Sequence, residues 1–517
     1  MARITTRYLR EGRGLPPELE EARTYIKGLA EGYGLDFFET VFEMCTYEEI
    51  NMIASYGGFP TRYPHWRFGM DYLQMQKSYE YGLSKIYEMV INTDPSYAYL
   101  MDCNMMVDQK LVMAHVFGHV DFFKNNLWFA HTNRKMLDQM ANNASRIRGL
   151  IDRHGADEVE RFIDICLSID NLIDPHGPHI KRRREYTEAQ IVDAENDGSI
   201  EKIPAKNYMD PHINPKAFLA SQREKKEQEL ARMKSFPEEP VRDVVGFLLK
   251  NAPLPRWQQT ILEIIMEEAN YFAPQGQTKI MNEGWATYWH TSLMTRHILT
   301  DAEVIDYCDH HSGTVAQQPG RLNPYKMGVE LYRNIEERWD KGQFGKEWLD
   351  CTDPRKRRAW DTGAGLGKEK IFQVRRTHND VTFLDSFLTA EFCREQGFFT
   401  TKYDPKSREW VIDSREFRDV KRGLLQMVAG RGTPRIYVVD GNHGNRGELR
   451  LAHQHQGLDI QLEWASVTLV NLVRLWGRPV HLDTLVEGKF MRLSCDGQQL
   501  TRHARSDTEL DEEETET

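Results

Sequence analysis

Between residues 17 and 340, apolar positions recur every three to four residues, the interval of an amphipathic helix. Segment 72–90 is one case, with Tyr72, Met75, Tyr79, Leu83 and Ile86 on one face. Pro16 and Pro17 open an earlier helix running to Ala30, and similar spacing predicts helices over 255–272, 281–298 and 324–339. Glycine and proline set off residues 57–66 as a loop, GGFPTRYPHW, rich in aromatics, that lines a cleft or packs on the helices. Residues 180–240 are charged and poor in aromatics, which predicts a surface insertion with one exposed helix near 215–234.

Past a glycine-rich link at 363–367 the period changes. Ile436-Tyr437-Val438-Val439 and residues 449–453 flank Asp-Gly-Asn-His-Gly-Asn-Arg-Gly, the pattern of a β-hairpin. An apolar helix over 462–476 follows, then strands over 479–485 and 489–494. The predicted class is mainly α: a large helical domain over 1–370, a small α+β domain over 375–505, and a disordered acidic tail at 506–517.

Composition narrows the function. Residues 507–517 carry seven carboxylates, most of the net charge of -11, so the body is only mildly acidic. No extended basic surface appears; Lys181-Arg182-Arg183-Arg184 runs straight into Glu185, which excludes a dedicated nucleic-acid partner. The seven cysteines are scattered singly with no Cys-x-x-Cys, as expected in a reducing compartment. No window approaches the ~18 apolar residues of a membrane span, and the basic N-terminus lacks the apolar stretch of a secretory signal. A cytoplasmic protein is expected.

Two segments carry candidate chemistry. In AHVFGH (114–119), His115 and His119 lie one helical turn apart, about 40° around the axis, on a helix otherwise apolar nearly all round. Gly118 beside them permits close approach by another helix or a ligand. In MNEGWATYWH (281–290), Glu283 heads a helix capped by Asn282, and its column continues through Thr287 and His290. Glu283 and His290 are separated by ~10.5 Å along the axis, too far to bind one ion together from a straight helix. Glu283 is therefore the better ligand, and His290 a supporting or substrate-facing group. On the preceding helix, Glu268 sits within the stripe of Ile261, Ile265 and Phe272 while Glu263 and Glu267 face away. A carboxylate on a buried stripe needs a metal, a base partner or hydrogen bonds. Glu268 is the candidate general base or additional ligand, and Tyr271 a core residue or a hydrogen-bond donor to a reacting oxygen.

The loop GGFPTRYPHW, AHVFGHVDFFKNN with Thr132-Asn133-Arg134 after it, YFAPQGQTKIMNEGWATYWH, Asn323-Pro324-Tyr325 and IEERWDKGQFG together resemble the SpoVR (stage V sporulation protein R) family over nearly the whole chain. That resemblance implies a bacterial or archaeal cytosolic protein and, in spore-formers, a link to the peptidoglycan cortex. A more local resemblance is to the gluzincin metallopeptidases, whose two histidines and second-motif glutamate bind zinc. Carried over, it implies a metallopeptidase-like helical metal site with His115, His119 and Glu283 as ligands. The chain departs from that pattern at Val116, where gluzincins place their catalytic glutamate, and in the 164-residue spacing to Glu283.

Three functions follow as expectations. A His₂Glu set holding a divalent metal, zinc before manganese or iron, suits an amide hydrolase acting on a peptidoglycan fragment or precursor, with Glu268 as base. The same donors suit a non-haem iron oxygenase. The third is a non-catalytic scaffold whose C-terminal domain recruits a protein partner.

Overall fold

Pro17 occupies the first turn of a helix, where its missing N–H costs nothing and its fixed φ suits the geometry; this is α1 (Pro17–Gly32). The computed structural model describes residues 14–80, 88–177, 180, 190, 192–194, 203–206, 209–316, 322–404, 406, 408–430 and 433–504. The basic run at 181–184 and the acidic tail lie outside them. The chain forms two compact units, Met1–Ala156 with Asn270–Arg431 and Asp157–Ala269 with Gly432–Thr517. The linear division near residue 370 and this grouping are different partitions.

In the first unit α1 packs with α2 (Met106–Asn125), α3 (Lys279–Leu293), α4 (Val304–Val315), α5 (Pro324–Asp340), α6 (Gly367–Thr377) and α7 (Asp380–Phe387). Their shared core holds Phe117, Trp285, Trp289, Tyr332 and Phe383. Helix α2 is buried on nearly every side. Asn323 starts α5, its side chain accepting from the Tyr325 and Lys326 amides.

The mainly-α class holds, but the region read as wholly helical contains a small sheet. Strands β1 (Thr40–Cys45), β2 (Glu88–Ile91) and β3 (Ser96–Met101) lie in the order β1-β3-β2, β1 parallel and β2 antiparallel to β3. Strands of four to six residues give too few alternations to compete with a helical period. Of the helix expected over 72–90, residues 81–87 lie outside the described ones; a helix runs over Trp66–Glu80, and Val90 instead pairs with Ala98. The aromatic loop at 57–66 packs inward: Phe59 and Tyr63 are buried, and Phe59 joins a second core with Ile53, Tyr99, Met101 and Tyr271. A hairpin of β4 (Thr400–Asp404) and β5 (Glu409–Ser414) completes this unit.

The second unit centres on a five-stranded sheet of β6 (Ile436–His443), β7 (Glu448–His453), β8 (Val480–Val486), β9 (Lys489–Cys495) and β10 (Leu500–Ala504), ordered β10-β9-β8-β7-β6. The predicted hairpin is β6–β7, and α8 (Leu462–Trp476) makes the crossover that parallel β7 and β8 require. Earlier segments join this sheet: Val241 exchanges backbone hydrogen bonds with Val438, and Phe247 stacks on Trp476 at 5.8 Å. The exposed helix expected near 215–234 is present over Lys216–Lys234. Among the described residues, no helix is long and apolar enough to cross a membrane.

Candidate metal centre

Small residues bring three helices together. Gly118 of α2 lies against the Ala286 backbone of α3. On the other side of α3, a Cβ on Gly284 would fall 2.4 Å from Gly328 Cα of α5. Two anchors hold α3 in place. Asp380 accepts hydrogen bonds from the Ile280 and Met281 amides, both at 2.9 Å, putting a carboxylate at the positive end of the helix. Asp121 of α2, fully buried, accepts from Trp285 Nε1 at 2.8 Å and from the Asp36 amide at 2.8 Å, with Arg375 at 3.5 Å. Burial pushes the Asp121 carboxyl up to about 6, against the opposing pull of Arg375 and these bonds.

This framework brings His115, His119 and Glu283 together. Ligand atoms of the three lie within 4.8 Å of one another. Nε2 of His115 stands 3.6 Å, and Nε2 of His119 3.5 Å, from the same oxygen, Glu283 Oε2. Both separations exceed a hydrogen bond. Oε2 is buried and has no hydrogen-bond partner among the described residues. Two ring nitrogens and an orphaned carboxylate oxygen around one point fit a divalent cation, which would satisfy all three. The histidine side chains are 5% and 7% exposed and that of Glu283 18%, so Glu283 is the least buried of the three.

The distal ring nitrogens are also engaged. His119 Nδ1 donates to Asn282 Oδ1 at 2.9 Å, which leaves Nε2 as the lone-pair nitrogen. Asn282 is therefore a partner of the histidine and lies inside the helix, not at its cap; the N-cap position belongs to Thr278. His115 Nδ1 meets His290 Nδ1 at 2.9 Å. Burial, with His115 nearby, lowers the His119 pKa to about 4; burial with His115, His311, His119 and Arg333 holds His290 well below the ordinary range. Burial raises the Glu283 carboxyl, but His115, His119 and Lys279 outweigh it and its pKa falls below the ordinary value. Near neutral pH, His119 and His290 are therefore uncharged and Glu283 is an anion.

Glu268 is buried, as its helical angle implied, but belongs to the second compact unit. Tyr271 donates its hydroxyl to the Asn92 carbonyl at 3.1 Å and packs against Phe59 and Phe272, in the second core of its unit. Sequence reasoning gave no role to Asn282 beyond capping, and none to Tyr325, whose ring lies 6.3 Å from that of His115, or to His311, 3.4 Å from His290 Nε2. Of these, Tyr325 carried a signal, as part of Asn323-Pro324-Tyr325 in the family resemblance.

A family described as SpoVR like protein matches residues 15–432. The chain belongs to the SpoVR family. The SpoVR match spans every residue of the candidate centre. The chain is 28% identical over 492 residues to the uncharacterized protein YcgB of Escherichia coli (strain K12), covering 89% of this chain and 90% of that protein. No solved structure matches this SpoVR chain significantly.

Proposed function

We propose that His115, His119 and Glu283 hold a divalent metal, zinc before manganese or iron, and that the chain is a metal-dependent amide hydrolase acting on a peptidoglycan fragment or precursor. The supporting observation is the convergence of two imidazole Nε2 atoms on one buried carboxylate oxygen that has no hydrogen-bond partner among the described residues. Asn282 and His290 orient the two rings, and Glu283, the least buried of the three, is the side from which water and substrate would approach. A divalent ion bound there supplies Lewis acidity and brings the pKa of water towards ~7. Glu268 lies in the other compact unit and is given no step. The substrate class rests on the sporulation resemblance alone. Release of amines from cross-linked peptidoglycan peptides by zinc-loaded protein, absent in Glu283→Gln, tests the reading; equal release by both rejects it.

A second reading has its own support. The bonds His115–His290, His119–Asn282 and Asp121–Trp285 tie α2 to α3 directly through side chains, as a scaffold needs. Exposed Trp464 and Val467 on α8 offer such a scaffold a partner surface. An iron-loaded protein that consumes oxygen favours the oxygenase over both.

A further inference from the structure

Helix α4 presents two adjacent histidines to two different helices. His310 Nδ1 is held by the buried carboxylate of Asp108 on α2. His311 lies parallel to the ring of Tyr307 on its own helix, centroids 5.6 Å apart at 9°. Its Nδ1 faces His290 Nε2 of α3 at 3.4 Å. Tyr307 is 3% exposed, so the stacked ring has a rigid support. Three imidazoles thus run in line, His115–His290–His311, from the metal centre to a partly buried helix.

Protons along such a line are not independent. Each neutral imidazole carries one N–H and one lone pair. Two Nδ1 atoms 2.9 Å apart share one proton, so either His115 donates to His290 or the reverse. If His290 donates, His115 carries its proton on Nε2, where it would point at the ligand position. If His115 donates, its Nε2 lone pair faces Glu283, and His290 must hold its proton on Nε2. That N–H needs an acceptor, and His311 Nδ1 is placed to be one.

We propose that His311 is a positioning residue for the metal centre: by accepting from His290 Nε2–H, it selects the tautomer that turns the His115 Nε2 lone pair towards Glu283. The inference deepens the metal reading and rests on it. The Asp108–His310 contact acts as a clasp that fixes α4, and with it His311, against the other two helices. Outer-shell partners of this kind typically change metal affinity by ~10–100-fold.

The test compares full-length wild type, His311→Phe and His311→Gln by zinc competition against a chromophoric chelator, with circular dichroism as the folding check. Phenylalanine keeps an aromatic ring against Tyr307 and removes the acceptor; glutamine keeps an acceptor. A zinc affinity ~10–100-fold weaker in His311→Phe, with a clearly smaller loss in His311→Gln, is the expected result. Equal affinity in all three overturns the proposal. The nitrogen shifts of ¹⁵N-histidine-labelled, metal-free wild type read the same tautomer without any ion. His115 protonated on Nδ1 and His290 on Nε2 is the expected pattern; His115 protonated on Nε2 overturns the relay, even if His311→Phe fails to fold. Failure of wild type to take up zinc rejects the metal reading, and the nitrogen shifts then decide the relay separately.

Discussion

Gly118 and Ala286 meet without a side chain between them: a Cβ on residue 118 would lie 2.7 Å from Ala286 Cα. One turn of α2 containing His115 and His119 is therefore pressed against the turn of α3 containing Glu283. The distance between ligands from different helices depends on that contact. Gly118→Ala forces the helices apart at a backbone contact, where overpacking costs about 1–3 kcal/mol. The expected outcome is a lower urea midpoint together with weaker zinc binding. Wild-type values for both would mean the helices have room to spare.

Asn282→Ala removes the acceptor that fixes the His119 ring. Zinc affinity should fall by ~10–100-fold, with circular dichroism unchanged. Asn282→Asp, which keeps an acceptor, should retain binding. Chelator competition on the two variants checks this, and equal losses in both would point to a general disturbance of α3.

Asp121 gives a pH signature. Burial raises its pKa in the folded state to about 6 from an ordinary 3.8. The folded chain therefore holds this proton over a range where the unfolded chain has released it. Its stabilising contribution is complete below about pH 4 and disappears as pH rises through 6. Between pH 4 and 7, wild type should lose on the order of 2–3 kcal/mol relative to Asp121→Asn. Urea unfolding of both proteins across that range measures the difference; parallel curves would contradict the assignment.

Tyr271→Phe separates a core tyrosine from a catalytic one. Loss of the bond to the Asn92 carbonyl should cost about 1 kcal/mol of stability and leave zinc affinity at the wild-type value. Reduced zinc affinity at unchanged stability would restore Tyr271 to the site.

The parts of this structure legible in sequence were local. The turn spacing of His115 and His119, the buried stripe holding Glu268 and the hairpin at β6–β7 each lie within fewer than twenty residues. The strands β1 to β3 were too short to show a period. The grouping of residues 157–269 with the C-terminal sheet depends on pairs such as Val241 with Val438, nearly 200 positions apart, which no local pattern encodes. Asn282 read as a cap because its residue type suits one, yet the helix starts earlier, with Asp380 bonded to the Ile280 and Met281 amides. His311 was given no role because the His310-His311 pair read as a loop or helix end, and only the fold, which puts it within a helix, sets it beside His290.

The central claim is that His115, His119 and Glu283 form one metal site. Elemental mass spectrometry of purified wild type, His115→Ala and Glu283→Gln, all checked for folding, tests it most directly. About one zinc per chain in wild type, lost in both folded variants, is the predicted result. A wild type that carries no metal after reconstitution with zinc, manganese or iron would contradict it.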